Sequence, residues 1–381
     1  MSTIRRKVCV VLTDRANYGR LKPVMAAIRG HAGLELQVLS GGTMSSERHG
    51  RPVDLVRADG FHVDGEVASD VEGATPLSMA HSVGLGVRVF ADELHRLSPH
   101  IVLLVGDRFG TLSAALAAAY LNLCIVHLQG GEVSGSIDES ARHCISKLAH
   151  FHYPATQRAA DTLVRMGERK DTILGIGCPS SDLVTQLAHT APGQSRRGKE
   201  AKGEFLLLVF HPVTTEYHET REQLRAILSA IDDLSIKTIA LAPNVDAGAN
   251  EILREFADKS KTPGDLTLIS NLPPEEYLDL LARCSCAIGN SSSFIREGSL
   301  LGTPAVVVGT RQQSREHGEN VLFAEPLREH ILAAIRSQLR HGRFAPNSIY
   351  GDGAGTVASR ITQALLNLEP YAQKRLDFTT S

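Results

Sequence analysis

The chain has 381 residues, 43% of them hydrophobic and 22% charged, with a formal net charge of −2. That length exceeds what one hydrophobic core usually supports and predicts two domains. The near-neutral charge, the absence of Trp and an aromatic content of 5% argue against nucleic acid or an anionic membrane surface as partner.

The opening MSTIRRKVCVVL carries too short an apolar run for a signal peptide, and no window reaches the ~20 apolar residues of a membrane span. Six cysteines are scattered at 9, 124, 144, 178, 284 and 286 without a zinc spacing. They read as reduced thiols in a cytoplasmic protein, with no disulfide and no cysteine metal site.

Apolar strand-like runs alternate with helical patterns along the chain. A strand is predicted over 7–12, followed by a loop over 13–18 and a helix to about residue 30. A second strand covers 34–39. Residues 77–97 carry a long helical pattern, 100–105 a strand, 112–120 an Ala-rich helix and 124–128 a strand. A helix over 137–149 and a short strand at 151–154 close the first half. Residues 187–204 are polar and basic, contain Pro and several Gly, and read as an exposed linker. Alternation restarts with strands at 205–210, 238–241 and 267–269 between helices at 218–232, 250–258 and 274–283. The pattern predicts an α/β protein with parallel sheets covered on both faces, in two similar halves that face each other across a cleft.

The residues with chemistry sit at the ends of the predicted strands, where open α/β sheets bind ligands. In the first half these are 13–18, GDRF at 106–109 and the Gly-rich segment 127–139, with Arg142 and His143 about a turn later. In the second half they are FHPVTT at 210–215 and PNVDAG at 243–248. His211 is suited to donate to an anion when charged, or to act as acid or base. A lone Gly-Asp after a strand also suits a simple turn, and Asp138 also suits a helix start. His150 and His152 lack a metal-ligand spacing and read as ordinary helix-end and strand residues.

Residues 287–320 are the most informative stretch. An apolar run stops at Gly-Asn-Ser-Ser-Ser, a helical pattern is predicted over 294–301, and Thr303-Pro304 leads into a strand at 305–308. Three hydroxyls at a helix start favour an anion, although a lone Ser291 is also an ordinary N-cap. Glu297, one turn inside that helix, suits sugar hydroxyls, and Arg311 and Arg315 can reach the same crevice. Together these suit a nucleotide diphosphate.

In RANY at 15–18, GDRF at 106–109, GGEVSGSIDES at 130–140, SKLAHFH at 146–152, GCPSSD at 177–182, HPVTT at 211–215, PNVDAG at 243–248, GNSS at 289–292, GTPAVVVGTRQ at 302–312, GEN at 318–320 and IYGDG at 349–353, the chain resembles the hydrolysing UDP-N-acetylglucosamine 2-epimerases of sialic-acid pathways. The resemblance covers nearly the whole chain and implies a GT-B-like fold of two Rossmann-type domains. It implies a first domain over 1–187, a linker over 188–204, a UDP-binding domain over 205–356, and a final helix within 357–381 packing back on the first. It further implies elimination of UDP to a 2-acetamidoglucal, then hydration to free N-acetylmannosamine. No metal or other cofactor is implied. The expected partner is the UDP-sugar, and the expected assembly a homodimer or homotetramer.

By this resemblance Arg15, Ser291, Ser292, Glu297 and Arg311 hold UDP, with Arg108, Asn244 and Arg315 as further binding candidates. Asp107 and Asp138 occupy the catalytic carboxylate positions, and His211 contacts diphosphate or sugar. The sequence departs from the family at Gln129, where many members carry a catalytic Glu, at Asn17 in place of Asp, and at Gly110 in place of an acidic residue. The expectation is up to three fewer negative charges around the sugar, with Glu132 or the Asp107–Asp138 pair as base and Gln129 binding the sugar. A modified diacetamido or deoxy UDP-sugar, a non-hydrolysing 2-epimerase, a glycosyltransferase and a weakened UDP-sugar-binding homologue are the alternatives.

Overall fold

The computed structural model describes residues 5–188, 204–259 and 266–379. The first half runs β1 (Arg6–Leu12), α1 (Arg15–Gly30), β2 (Leu34–Ser40), α2 (Pro52–Ala58), β3 (Gly65–Glu66), α3 (Pro76–Leu97) and β4 (Ile101–Val105). It continues with α4 (Phe109–Tyr120), β5 (Cys124–Leu128), α5 (Ile137–Leu148), β6 (Phe151–Tyr153), α6 (Gln157–Arg165) and α7 (Ser180–Ala188). The second half runs β7 (Leu206–Val209), α8 (Thr220–Asp232), β8 (Thr238–Leu241), α9 (Ala249–Lys259), β9 (Leu266–Ile269), α10 (Pro274–Arg283) and β10 (Cys286–Gly289). It ends with α11 (Glu297–Leu301), β11 (Ala305–Val308), β12 (Val321–Ala324), α12 (Arg328–His341) and α13 (Val357–Asn367).

Each half builds a six-stranded parallel sheet, ordered β3-β2-β1-β4-β5-β6 and β12-β11-β10-β7-β8-β9. Both faces are covered, which is why the strands are continuous apolar runs instead of alternating ones. In β1, Val8, Val10 and Leu12 pack into one core and Cys9 and Val11 into another. In β7, Leu207 and Val209 face one side, Leu206 and Leu208 the other. The fold is thus the GT-B-like pair of Rossmann-type units expected from the sequence.

Strand order reverses between β1 and β4 in the first sheet and between β7 and β10 in the second. Loops at such a reversal diverge and leave a crevice at the carboxyl ends of the strands. The topology therefore selects four loops, after β1, β4, β7 and β10, which carry Asp14, Asp107, His211 and Ser291.

The last helix ties the halves together. Val357, Ile361 and Leu365 of α13 are buried in the core of the first sheet. The Asp182 carboxylate accepts from the backbone N–H groups of Val357 and Ala358, at 3.1 and 2.7 Å, satisfying the first turn. At the other end, Arg6 Nη1 donates to the carbonyls of Leu365, Leu366 and Leu368, each at 2.7 Å.

Several local expectations are corrected. The loop expected over 13–18 is shorter, because Asp14 accepts from the Asn17 N–H and caps a helix that begins at Arg15. The helix expected over 294–301 is broken into a 3-10 turn over Ser292–Phe294 and a five-residue helix that starts at Glu297. Glu297 is thus the first residue of α11, and the serines cap a turn, not a regular helix. The linker expected at 188–204 falls almost entirely outside the described residues.

Candidate active site

A cleft of about 320 Å³ lies between the two sheets, at their carboxyl ends. That is room for a nucleotide-sugar-sized ligand. Asp107, Arg108, Asp138, His211, Asn244, Ser291, Ser292, Glu297, Arg15, Arg311 and Arg315 all line it.

The loops around Asp107 and Asp138 are organised by arginine–carboxylate pairs. Arg142, on the first turns of α5, is buried and donates through Nε to Asp107 Oδ2 at 3.1 Å, with a second bond from Nη2. Its remaining donors go to the Glu132 carbonyl at 2.7 Å and Ser134 Oγ at 2.9 Å. Arg108 forks onto Asp246 across the cleft, with Nη1 at 2.6 Å, and lies 3.7 Å from Asp138 Oδ2 and 3.8 Å from Asp14 Oδ2. Arg311 reaches Asp138 Oδ2 at 3.3 Å and the Asn290 carbonyl at 3.3 Å.

The balance between burial and these pairings moves two carboxylates in opposite directions. Burial alone would raise Asp107, but Arg142, Arg315 and Arg20 outweigh it and hold the group well below the usual carboxylate range. For Asp138 burial wins. Arg108 and Arg311 pull downward, Asp107 and Asp246 add to the rise, and its pKa is pushed up to about 6. Two acids driven apart in one cleft are the pattern by which sites assign a proton acceptor and a fixed charge.

His211 is held by Asn290 on both sides of its backbone: its N–H donates to Asn290 Oδ1 and its carbonyl accepts from Nδ2, both at 2.8 Å. The Asn244 N–H donates to His211 Nδ1 at 3.2 Å, so the proton belongs on Nε2. Burial, then Arg311, Arg15 and Arg108, drive its pKa well below the ordinary imidazole value. Of the roles open to His211 in the sequence, these surroundings favour the neutral ring, with Nδ1 accepting and Nε2–H as its donor.

On the second-half wall, Ser291 Oγ and Ser293 Oγ are 2.7 Å apart, and Tyr277 OH bonds to Ser293. Arg20 Nη2 donates to Ser292 Oγ at 3.3 Å. Arg15 spans the halves through bonds of 2.6 Å to the carbonyls of Ala242 and Ser270. Glu297 is buried with Oε2 unpartnered, an acceptor left for a ligand hydroxyl.

Three expectations about the sugar side are corrected by position. Gln129 is 1% exposed, has φ +64°, and points its amide at Cys178 Sγ, 3.1 Å away; it does not line the cleft. Glu132 also lies behind the cleft wall, paired with Arg296 and Arg315. Asn17 is buried, with Oδ1 accepting from the Thr13 N–H and Oγ1 at 3.0 and 2.8 Å. A Cβ on Gly110 would meet that same Thr13 side chain at 3.0 Å. Asn17 of α1 and Gly110 of α4 thus both pack on Thr13 and do not line the cleft, so the charges they omit are not missing from it. His143 stands apart as well, 3.6 Å from Glu139 on the outer side of α5.

The profile of the UDP-N-acetylglucosamine 2-epimerases matches residues 26–366. The chain belongs to this family. The chain is 33% identical over 97% of each chain to the UDP-N,N'-diacetylbacillosamine 2-epimerase (hydrolyzing) of Legionella pneumophila. It is 31% identical over 98% of each chain to the UDP-N-acetylglucosamine 2-epimerase of Neisseria meningitidis serogroup B. In fold it matches the crystal structure of a Neisseria meningitidis UDP-GlcNAc 2-epimerase bound to UDP-GlcNAc, with a TM-score of 0.78 at 16% identity, over 95% of this chain and 100% of that one.

Sequence reading missed Arg20, Arg296, Asp246, Asn290 and Tyr277. Asp246 and Asn290 lie inside quoted motifs, so their strand-end position was a usable signal. Arg20 and Arg296 sit within helical patterns, and only the closure of the cleft brings them to it.

Proposed function

We propose that this epimerase is of the hydrolysing type and converts UDP-N-acetylglucosamine to UDP and free N-acetylmannosamine. The observation that carries this reading is the split carboxylate pair: Asp138, raised to about 6, beside an Asp107 held ionised by Arg142. A C2 proton is weakly acidic, so its acceptor must be ionised yet basic near neutral pH, as Asp138 is. Asp138 takes the proton on C2. The C–H electron pair forms the C1–C2 double bond, and the C1–O bond breaks with its pair moving to the UDP oxygen. The product is a 2-acetamidoglucal.

Negative charge grows on the departing diphosphate, and Arg311, Arg108, the Ser291–Ser292 turn and the His211 Nε2–H are set to meet it. Unpartnered Glu297 Oε2 suits the ribose hydroxyls. Water then adds its oxygen to C1 while C2 takes a proton from the other face, which inverts C2. Gln129 has no proton to exchange at neutral pH and sits behind the wall, so it is assigned no step. A UDP-sugar substrate goes with the cytoplasmic setting read from the sequence. The homodimer or homotetramer remains a proposal from the family resemblance.

A second reading, a diacetamido UDP-sugar, is favoured by the name of the Legionella relative. A proton NMR time course in D2O separates the two. UDP-N-acetylglucosamine should give UDP and N-acetylmannosamine deuterated at C2. No turnover of that sugar, with release from the diacetamido analogue, would move the assignment to the second reading. UDP-N-acetylmannosamine as product would make the enzyme non-hydrolysing.

A further inference from the structure

The loop after β5 turns at Gly130-Gly131 before reaching Glu132. Gly131 has φ +80°, and a Cβ there would lie 2.1 Å from the Ala159 carbonyl oxygen, so glycine is required. The turn carries Glu132 beneath the cleft, not into it. Its Oε2 accepts from Arg296 Nη2 at 2.5 Å, and Arg315 Nη1 lies 3.3 Å from the same oxygen. The Glu132 carbonyl accepts from Arg142 Nη1, the guanidinium that holds Asp107. The three side chains of the cluster are no more than 4% exposed.

The two arginines come from the second half and line the cleft; Glu132 comes from the first half and does not. Two guanidiniums share one carboxylate, so the buried trio keeps a net positive charge that an anion in the cleft would balance. The Nε donors of Arg296 and Arg315 are buried and have no protein partner. Being ion-paired and walled off from the cleft, Glu132 is badly placed to move a proton at C2.

We infer that Glu132 is a positioning residue that spans the two halves beneath the cleft and fixes Arg296 and Arg315 for the leaving diphosphate. The inference rests on the hydrolysing-epimerase reading for its kinetic part, and on geometry alone for its UDP-binding part. Closure of the cleft and alignment of the arginines are then one event, since the pairs exist only when both halves meet.

The test uses the full chain as E132Q, E132D, R296M and the E132Q/R296M double variant, with UDP calorimetry and UDP release measured from about pH 5 to 9. E132Q should bind UDP about tenfold more weakly or worse, and lose about ten- to a hundredfold in kcat with its pH limbs in place. The double variant should lose less than the two single losses multiplied, because each single change already breaks the Glu132–Arg296 pair, but more than R296M alone, because Arg315 also loses its carboxylate. Loss of a pH limb with kcat below about a thousandth would make Glu132 a proton carrier and overturn the inference. Wild-type kcat and UDP affinity in E132Q would overturn it too, even with a lowered Tm. Should E132Q fail to fold, E132D keeps the charge with shorter reach and must still weaken UDP; wild-type affinity there refutes the role. Wild type that binds UDP but turns over no UDP-sugar would refute the functional reading, while the UDP arm would still judge Glu132.

Discussion

Asp138 offers the sharpest test of the site, through the pH at which it ionises. With its carboxyl at about 6, kcat/KM should rise with pH as the base form appears, reaching about a tenth of its plateau at pH 5 and about nine-tenths at pH 7. An ordinary aspartate would already be almost fully ionised at pH 5. The perturbation is Asp246→Asn. Asp246 raises Asp138 directly, and it also occupies the Arg108 guanidinium that otherwise lies 3.7 Å from Asp138. Both consequences lower the Asp138 pKa. We expect the limb to move down by about one unit, equivalent to about 1.4 kcal/mol, so that relative activity at pH 5 rises from about a tenth to about half. The assay is kcat/KM for UDP release in constant-ionic-strength buffers. A D246N limb still near 6, or a wild-type profile flat between pH 5 and 7, would refute the assignment of Asp138 as base.

The same shift has a stability consequence with a fixed sign. The folded pKa is raised from 3.8 to about 6, so the favourable contribution is complete below 3.8 and lost as pH rises through 6. At pH 7.5 the ionised carboxylate should cost the fold roughly 3 kcal/mol, from about two units at 1.4 kcal/mol each. Asp138→Asn removes that cost and the base together. The variant should be inactive yet more resistant to urea at pH 7.5, with no difference at pH 3. An active D138N, or one less stable at pH 7.5, would contradict the argument.

Other outcomes follow from single geometric facts. Gln129→Ala should keep turnover within about tenfold of wild type, because the side chain faces Cys178 behind the cleft wall; a loss beyond about a thousandfold would return it to the catalytic set. Gly131→Ala forces a Cβ to 2.1 Å from a backbone oxygen at φ +80°, and should cost roughly 3 kcal/mol or more in chemical denaturation. Glu168 is buried among Lys147, Lys374 and His152, so Glu168→Gln leaves two partly solvated cations short of their carboxylate and should cost roughly 1–3 kcal/mol, read as a lowered urea midpoint.

The architecture was legible because buried parallel strands write themselves as short apolar runs, such as IVLLV at 101–105, LLLV at 206–209 and AVVV at 305–308. The second-half edge strand β12 was not legible. Its middle residues Leu322 and Phe323 are exposed, so VLFA carries neither the flanking pattern of a buried strand nor a clean alternation. α11 was misread for a different reason: Phe294 and Ile295 are buried apolar residues, but the chain makes a 3-10 turn over Ser292–Phe294 and the regular helix begins only at Glu297.

The site was legible to the level of loops and not beyond. The strand-end rule identifies which loops meet, because it follows from topology alone. Which side chain of a loop enters the cleft depends on backbone handedness, and that is invisible in composition. Gln129 and Asp107 both follow strand ends by one or two residues. Gln129 takes φ +64° and is turned toward Cys178, whereas Gly106 takes φ +80° just before Asp107 and leaves the aspartate facing the cleft. A left-handed residue one position earlier or later thus decides whether a strand-end side chain faces the cleft or packs behind it. The same holds across the halves: Glu132 and Arg296 are 164 positions apart and meet only through the closed cleft. A charge census by sequence therefore counts Asn17, Gly110 and Gln129 at the cleft although none of them lines it, while the carboxylates that pair with its arginines, Asp246 with Arg108 and Glu132 with Arg296, come from the opposite half.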